Sequence, residues 1–272
     1  MTTFMGTGLG GMVPVKCLSG LRVQPDTRAD FATNLAGARR VYVDPATSPA
    51  RRVWSAQVTA RMGDVGTLVE LESLRLPLRM VTDEAAVSNV LPPAASLGPV
   101  GWAATGGSLS QGGPVVTQDG PAAASIQASG TAPVWYSPLL PVVPGQSVTG
   151  SAYVRKGVGA TSFRIDWMGL GAGQTSSALS FPPPVQVTAT AAPLSRQVVT
   201  ATVPAGVHVA RLRIVGAVQV ARPALSWTDA PAQWAPGMGA EAVHLSPLPY
   251  DVLTAWQGQA LANFSYTVTE VG

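Results

Sequence analysis

The stretch RPALSWTDAPAQWAPGMG, residues 222–239, decides the fold of this chain. Its two tryptophans are bracketed by prolines and show no helical period, which is the pattern of an extended segment that lies across a β-sandwich. The stretch follows an alternating strand pattern over residues 208–215 and closes a charge-poor segment that begins near Asn89. The sequence therefore predicts a β domain that ends here, well before the C-terminus.

The composition is that of a folded, mainly β protein. Of the 272 residues 46% are hydrophobic and only 11% are charged, which excludes a disordered chain. The 24 prolines and 29 glycines favour short strands joined by turns over long helices. The single cysteine, Cys17, excludes an internal disulfide framework and is expected to be a buried thiol. No apolar run is long enough to cross a bilayer and the N-terminus lacks the features of a secretory signal, so we expect neither membrane insertion nor export.

The positive charge does not form a nucleic-acid-binding pattern. The net charge is +3, and the basic pairs Arg39-Arg40 and Arg51-Arg52 stand apart from each other. Nucleic-acid-binding proteins usually carry a longer basic stripe with accessible aromatic residues. We therefore expect no nucleic-acid partner.

A shift in composition divides the chain into two units. The segment from Pro92 to Gly237 holds five of the seven tryptophans, but only seven of the 17 basic and three of the 14 acidic residues. This predicts an inner domain over residues 91–238, inserted into a discontinuous outer domain of residues 1–90 plus 240–272. Both ends of the insertion lie in connectors rich in proline and glycine, as domain boundaries often do.

Both units show the period-two alternation of strands. In the inner unit the apolar positions predict a sandwich with one face of each sheet in the core and the other in water; they are Val148, Gly150, Ala152 and Val154, then Phe163, Ile165 and Trp167, then Ala210, Leu212 and Ile214. In the outer unit we predict strands at residues 40–43, 52–60 and 67–74, and a short helical turn at 83–89. The C-terminal NFSYTVTEVG alternates as well, and we expect it to pair with the N-terminal strands.

Two groups of motifs resemble phage proteins. The stretch VPGQSVTGSAYVRKG (residues 143–157), with the quoted residues 222–239, resembles the galactose-binding-like jelly rolls of carbohydrate-binding modules found in bacteriophage tail proteins. The motifs FMGTGLGGMVPVKCL, RRVYVDP, RRVWSAQV and SYTVTEVG resemble minor tail or baseplate proteins, of the distal-tail type, of siphophages that infect actinobacteria. The fold implied is all-β: a β-sandwich tail-protein domain with an inserted jelly-roll β-sandwich.

The resemblance also implies a function. The chain would be a structural component of the tail tip or baseplate of the virion, assembled in the cytoplasm of the bacterial host, and its inner domain would bind host cell-surface glycans during adsorption. Its partners would be other tail-tip proteins, copies of itself in a symmetric ring, and a host envelope glycan. The alternative is a purely architectural tail protein whose jelly roll mediates subunit contacts without a glycan ligand.

The sequence offers little support for catalysis, so we expect no enzyme, no cofactor and no metal. The two histidines, His208 and His244, fall in different units without a triad-like context, and the acids of the inner unit are far apart in sequence. The pattern of Gly6, Gly8 and Gly11 matches a dinucleotide fingerprint by letters, but no strand can precede it. We interpret residues 1–12 as a flexible, polar arm that reaches a neighbouring subunit.

Aromatic and polar side chains on exposed sheet faces are the candidate glycan contacts. Sugar C–H faces stack on aromatic rings, and hydroxyl groups need polar partners. Adjacent strand residues point to opposite faces, so one of Trp135 and Tyr136 is expected in the core and the other on a sheet face. Tyr153 and Arg155 share the polar face of one predicted strand, and Arg164 and Asp166 share that of another. These six residues are the predicted glycan site, whereas Trp167 is expected in the core.

Overall fold

The computed structural model of the chain describes residues 2–7, 11–16, 22–25, 29–33, 39–43, 52–74, 77–169, 182–246, 248–256 and 259–271. Strands account for 56% of the structure and helices for 11%, so the predicted all-β class is confirmed. Cys17, the expected buried thiol, lies outside the described residues.

The regular elements are mostly short, as the frequent prolines and glycines require. The strands are β1 (Thr2–Gly6), β2 (Met12–Lys16), β3 (Arg22–Pro25), β4 (Ala29–Thr33), β5 (Arg39–Val43), β6 (Arg52–Arg61), β7 (Leu78–Val81), β8 (Ala103–Thr105), β9 (Leu109–Thr117), β10 (Gly120–Ala128), β11 (Val134–Tyr136), β12 (Leu140–Pro141), β13 (Ser147–Lys156), β14 (Ser162–Gly169), β15 (Val185–Gln186), β16 (Arg196–Thr202), β17 (Val207–Val215), β18 (Ala217–Ser226), β19 (Ala240–Leu245), β20 (Tyr250–Trp256) and β21 (Gln259–Glu270). The helices are α1 (Gly66–Ser73), α2 (Asp83–Ser88) and α3 (Pro93–Leu97), and Met62–Val65 forms a 3-10 turn.

Contacts divide the chain into two compact units. The flanking unit comprises Met1–Thr2, Val15–Leu78 and Glu241–Gly272, and the central unit comprises Thr3–Pro14 and Arg79–Ala240. The second segment of the central unit thus begins at Arg79, whereas the sequence predicted the boundary at residue 91. The central unit also includes the N-terminal segment Thr3–Pro14.

The flanking unit is organised around the C-terminal strand. Its sheet contains β19, β21, β6 and β3 as neighbours in that order, with β20 also paired to β21, and β4 and β5 pair with each other. Along the antiparallel β21–β6 pair the apolar residues of both strands face each other and are buried; they are Val268 with Trp54, Tyr266 with Ala56, and Phe264 with Val58. The predicted pairing of the C-terminal segment with an N-terminal strand is confirmed.

One strand predicted for this unit is wrong. Residues 67–74, predicted as a strand, fall mainly in helix α1. Leu68 and Leu71 are buried while Val69 is exposed, which is the i, i+3 spacing of one helix face. The segment is too short for its alternation to distinguish the two periods.

The central unit is a β-sandwich of two antiparallel sheets. The first sheet, which we call the covered sheet, has the strand order β16-β13-β18-β10-β9; the second, the open sheet, has the order β15-β14-β17-β11-β8, with β12 on β17. The predicted apolar rows of both sheets face each other in one core, which includes Val148, Ala152, Val154, Phe163, Ile165, Trp167, Ala210, Leu212 and Ile214. At Gly150 a Cβ atom would lie 2.8 Å from Leu212 Cδ2, so the two sheets approach closely at this position.

The N-terminal residues belong to this sandwich unit. Strand β1 pairs with β7, with Phe4 opposite Val81, and Met5 is fully buried. The ring of Phe4 packs edge-on against Trp227, with centroids 5.1 Å apart. The predicted flexible arm is therefore wrong for the described residues 2–6, because their apolar side chains find partners in their own chain. Val81 also lies in the central core, which explains why most of β7 belongs to the central unit.

The segment quoted at the outset ends β18 and then crosses the outer face of the covered sheet. Residues 227–239, which we call the closing segment, contain no regular strand or helix. Arg196 Nη2 donates hydrogen bonds to the Ala232 carbonyl (2.7 Å) and to Ser151 Oγ (2.9 Å). Thr149 Oγ1 donates to the Thr228 carbonyl at 2.8 Å. The water-facing side predicted for β13 is thus wrong, because Thr149 and Ser151 are buried by the chain itself.

Candidate functional site

Strand register brings five polar side chains together on the outer face of the open sheet. Arg213 on β17 lies opposite Arg164 on β14 and also opposite Tyr136 on β11. Asp166 lies opposite Arg211 one row further along. Directly opposed residues share a face, and the alternate positions of these strands fill the core. We call Tyr136, Arg164, Asp166, Arg211 and Arg213 the arginine cluster.

Asp166 is the point on which the three arginines converge. Its Oδ1 lies 2.6 Å from Arg164 Nε, and its Oδ2 lies 3.7 Å from Arg211 Nη2 and 3.9 Å from Arg213 Nη1. The carboxylate side chain is only 7% exposed, whereas the arginine side chains are 25–28% exposed. The anion therefore lies beneath the cations, and the accessible part of the cluster is positive.

Tyr136 fixes the orientation of one guanidinium. The guanidinium carbon of Arg211 lies 4.0 Å from the centre of the Tyr136 ring, and that of Arg213 lies 5.8 Å from it. Both distances fall within the range of a cation–π contact, in which the face of the ring attracts the cation. One face of this half-buried ring is thus occupied by Arg211.

The neighbouring Trp135 is a core residue. It is fully buried and packs edge-on against Trp102, with ring centroids 6.4 Å apart. The prediction that one ring of this pair is in the core and the other on a sheet face is confirmed. Trp135 as a glycan contact is wrong, because in the structure its ring does not reach the surface. Trp167 is in the core as predicted.

Tyr153 and Arg155 lie on the covered sheet, away from the cluster. Tyr153 is 1% exposed and packs with Val115, Ala123, Leu194 and Ala221 on the outer side of β13. Its hydroxyl donates a hydrogen bond to the Asp119 carboxylate. Burial and this carboxylate raise the pKa of the Tyr153 phenol to about 12, because both disfavour the phenolate. As a glycan contact Tyr153 is wrong, since its ring is sealed inside the protein.

Arg155 is exposed, and its Nε donates a hydrogen bond to the Thr190 carbonyl at 2.9 Å.

Of the six residues predicted for the glycan site, the structure brings three together, namely Tyr136, Arg164 and Asp166. It adds Arg211 and Arg213, which the sequence analysis did not assign to the site. Their alternation with Leu212 was visible in the sequence, but the pairing of β17 with β14 and β11 that joins them was not.

The cluster can bind polar groups through several fixed donors. A guanidinium presents its N–H groups as a planar fork that matches carboxylate and phosphate oxygens or paired hydroxyls. Within the described residues no three His, Cys, Asp or Glu side chains gather where they could hold a metal ion. None of the helices in the described ranges is long and apolar enough to cross a membrane.

Comparisons with known proteins give distant structural neighbours. No protein-family model and no curated protein matches the chain. The enzymatically active domain of tailspike protein 4 from bacteriophage CBA120 matches with a TM-score of 0.40 at 12% identity, over 52% of this chain and 21% of that one. The chain thus spans about a fifth of that tailspike domain.

Carbohydrate-binding modules are also among the neighbours. The CBM22-1 xylan-binding domain of Paenibacillus barcinonensis Xyn10C has a TM-score of 0.36 at 17% identity, over 53% of this chain and 99% of that one. The module CBM6cm-2 from Cellvibrio mixtus lichenase 5A has a TM-score of 0.32 at 13% identity, over 46% of this chain and 90% of that one.

Proposed function

We propose that this chain is a structural component of a bacteriophage tail tip or baseplate, and that its central unit binds host cell-surface glycans during adsorption. The observation that carries the binding proposal is the arginine cluster. It is a set of converging, partly exposed donors beside an aromatic ring, on the outer face of a sandwich whose other sheet is covered by its own chain.

The cluster is preorganised for a ligand rich in hydroxyl groups. Arg211 is held from one side by the ring of Tyr136 and from another by Asp166. Side chains that are already ordered lose less conformational entropy on binding, so more of the hydrogen-bond energy remains as affinity. Vicinal hydroxyls of a sugar accept hydrogen bonds from a guanidinium fork, and an aromatic ring such as that of Tyr136 is the kind of surface on which a sugar C–H face packs.

The tail-tip part of the proposal is supported by the sequence resemblance and by one surface of the flanking unit. Strand β20 pairs with β21, and no other described strand pairs with its second edge. Tyr250, Val252 and Leu253 on this strand are all more than half exposed. An apolar edge strand is a template for pairing with another chain, which suits a subunit of an assembly.

Binding is tested with the full-length chain and purified envelope polysaccharide of the host. We expect saturable binding that Arg211→Gln weakens at least about tenfold, which corresponds to the loss of one charge-assisted hydrogen bond. Tyr136→Ala should also weaken binding, because it removes the ring that orients Arg211 and packs against the sugar. Arg155→Gln is the matched control, because it removes an exposed arginine from the other sheet. Equal losses in all three variants would contradict the assignment of the site.

Placement in the particle is tested separately, by mass spectrometry and immunogold electron microscopy of purified virions. We expect the chain at the tail tip. Its absence from purified particles would overturn the tail-tip proposal.

A purely architectural tail protein is the second candidate, and the exposed apolar strand β20 favours it. Under this function, Val252→Lys would reduce incorporation into particles, whereas Arg211→Gln would alter neither assembly nor adsorption. Adsorption that depends on Arg211 would exclude the hypothesis of a purely architectural protein.

A further inference from the structure

On the basis of the proposed glycan-binding function, we infer that the arginine cluster selects glycans that carry anionic substituents, carboxylate or phosphate, over neutral ones. The first reason is the charge of the cluster. The five residues of the cluster include three guanidinium groups and one carboxylate, that of Asp166, which is a formal charge of +2. A carboxylate cannot accept all the N–H donors that three guanidiniums present.

The second reason is that these neighbouring cations lower the stability of the protein when no ligand is bound. Arg164 and Arg213 are direct cross-strand neighbours, and like charges in that position destabilise a sheet. Features that cost stability concentrate at functional sites. An anion between the guanidiniums would relieve the like-charge repulsion, whereas a neutral hydroxyl would leave it in place.

The third reason is that the negative charge of the cluster lies deeper below the protein surface than the positive charges. Asp166 lies beneath the guanidiniums and is nearly inaccessible, while each arginine is about a quarter exposed. An approaching ligand therefore meets positive charge first and is not repelled by an exposed carboxylate. Cross-strand and diagonal neighbours on one sheet face have Cβ atoms about 5 to 8 Å apart. The three cations therefore lie close enough together for one charged group to contact more than one of them.

The experiment compares three polymers on the full-length chain by isothermal titration calorimetry. Polygalacturonate offers carboxylates, poly(glycerol phosphate) offers phosphodiesters, and dextran is neutral. We expect at least one of the two anionic polymers to bind about tenfold or more tightly than dextran. The affinity for it should fall as NaCl is raised from about 0.05 to 0.3 M, because salt screens the attraction. The polymer that binds more tightly identifies the anionic group.

Two substitutions at one position separate charge from geometry. Arg211→Gln should weaken anionic binding about tenfold and flatten its salt dependence. Arg211→Lys should keep the salt dependence but lose part of the affinity, because it retains the charge without the fork. Arg155→Gln should change neither, and unchanged melting temperatures would show that the variants are folded.

The outcomes distinguish this inference from the function on which it rests. Dextran binding as tight as that of both polyanions, with the same response to Arg211→Gln, would overturn the anionic selectivity and leave glycan binding intact. Binding of host envelope polysaccharide without binding of either polyanion would also overturn it. Failure to bind the host polysaccharide would overturn the proposed function itself, and the inference with it.

Discussion

The two sheets of the central unit have the same alternating sequence pattern, but the outer face of one is buried and the outer face of the other is partly exposed. On the covered sheet, Thr149, Ser151 and Tyr153 are buried under the closing segment and neighbouring side chains. On the open sheet, the equivalent polar positions are the partly exposed arginines of the cluster. Alternation thus identifies the residues that leave the core. Whether the second face meets its own chain, water or a ligand depends on segments far away in the sequence.

The largest expected effect separates two adjacent residues of β11. Trp135→Ala should lower the free energy of unfolding by about 3–5 kcal/mol, because it removes a fully buried ring from the sandwich core. Tyr136→Ala should cost less than about 1 kcal/mol, because the ring is on the outer face. Urea denaturation of both variants measures the difference. Similar losses would show that the outer face is packed like the core.

The next prediction concerns the exclusion of water from the outer face of the covered sheet, which the titration of Tyr153 measures. Its folded pKa of about 12 lies above the ordinary value of 10, so the folded state holds the proton where the unfolded state releases it. The stabilisation is therefore complete below pH 10 and is lost as the pH rises towards 12. By linkage it amounts to about 2 kcal/mol.

The measurement is the difference in unfolding free energy between wild type and Tyr153→Phe, followed from pH 9 upwards to about 12. We expect the wild type to lose about 2 kcal/mol more than the variant over this range. Parallel pH profiles would mean that the phenol is in contact with water and that the face is not sealed.

A smaller effect concerns the anchor of the closing segment. Arg196→Ala removes the hydrogen bonds to Ser151 and to the Ala232 carbonyl and should cost about 1.5 kcal/mol. Hydrogen exchange should show faster opening of the Ser151 region. Arg155→Ala, on the exposed end of β13, is the control and should change stability by less than about 0.5 kcal/mol.

The smallest stability effect is expected on the open sheet. Arg213→Gln should change the free energy of unfolding by less than about 0.5 kcal/mol, because it loses a long ion pair with Asp166 and also a like-charge neighbour. A loss comparable to that of Arg196→Ala would make the arginines structural and would remove the contrast between the two faces.

Periodicity and pairing logic predicted the parts of the fold that depend on local pattern. The core rows of β13, β14 and β17 and the β21–β6 pair follow directly from alternation. Helix α1 was missed because eight residues carry too few apolar positions to distinguish the two periods. The burial of Tyr153 and the packing of Phe4 depend on contacts with distant segments, which one sequence does not display. The same holds for Arg211 and Arg213, which belong to the candidate site only through cross-strand register.

The dependence of the central unit on its N-terminal strand also governs how the protein can be built and recombined. Phe4 is synthesised long before its partner Trp227, which lies far along the chain from it. The sandwich therefore cannot be completed until Trp227 has been made, and β1 depends on a long-range contact of the kind that slows folding. A gene fragment that transfers only residues 79–240 to another protein would leave β7 without β1. Exchange of this domain between proteins thus requires a recipient whose own N-terminus supplies an equivalent strand.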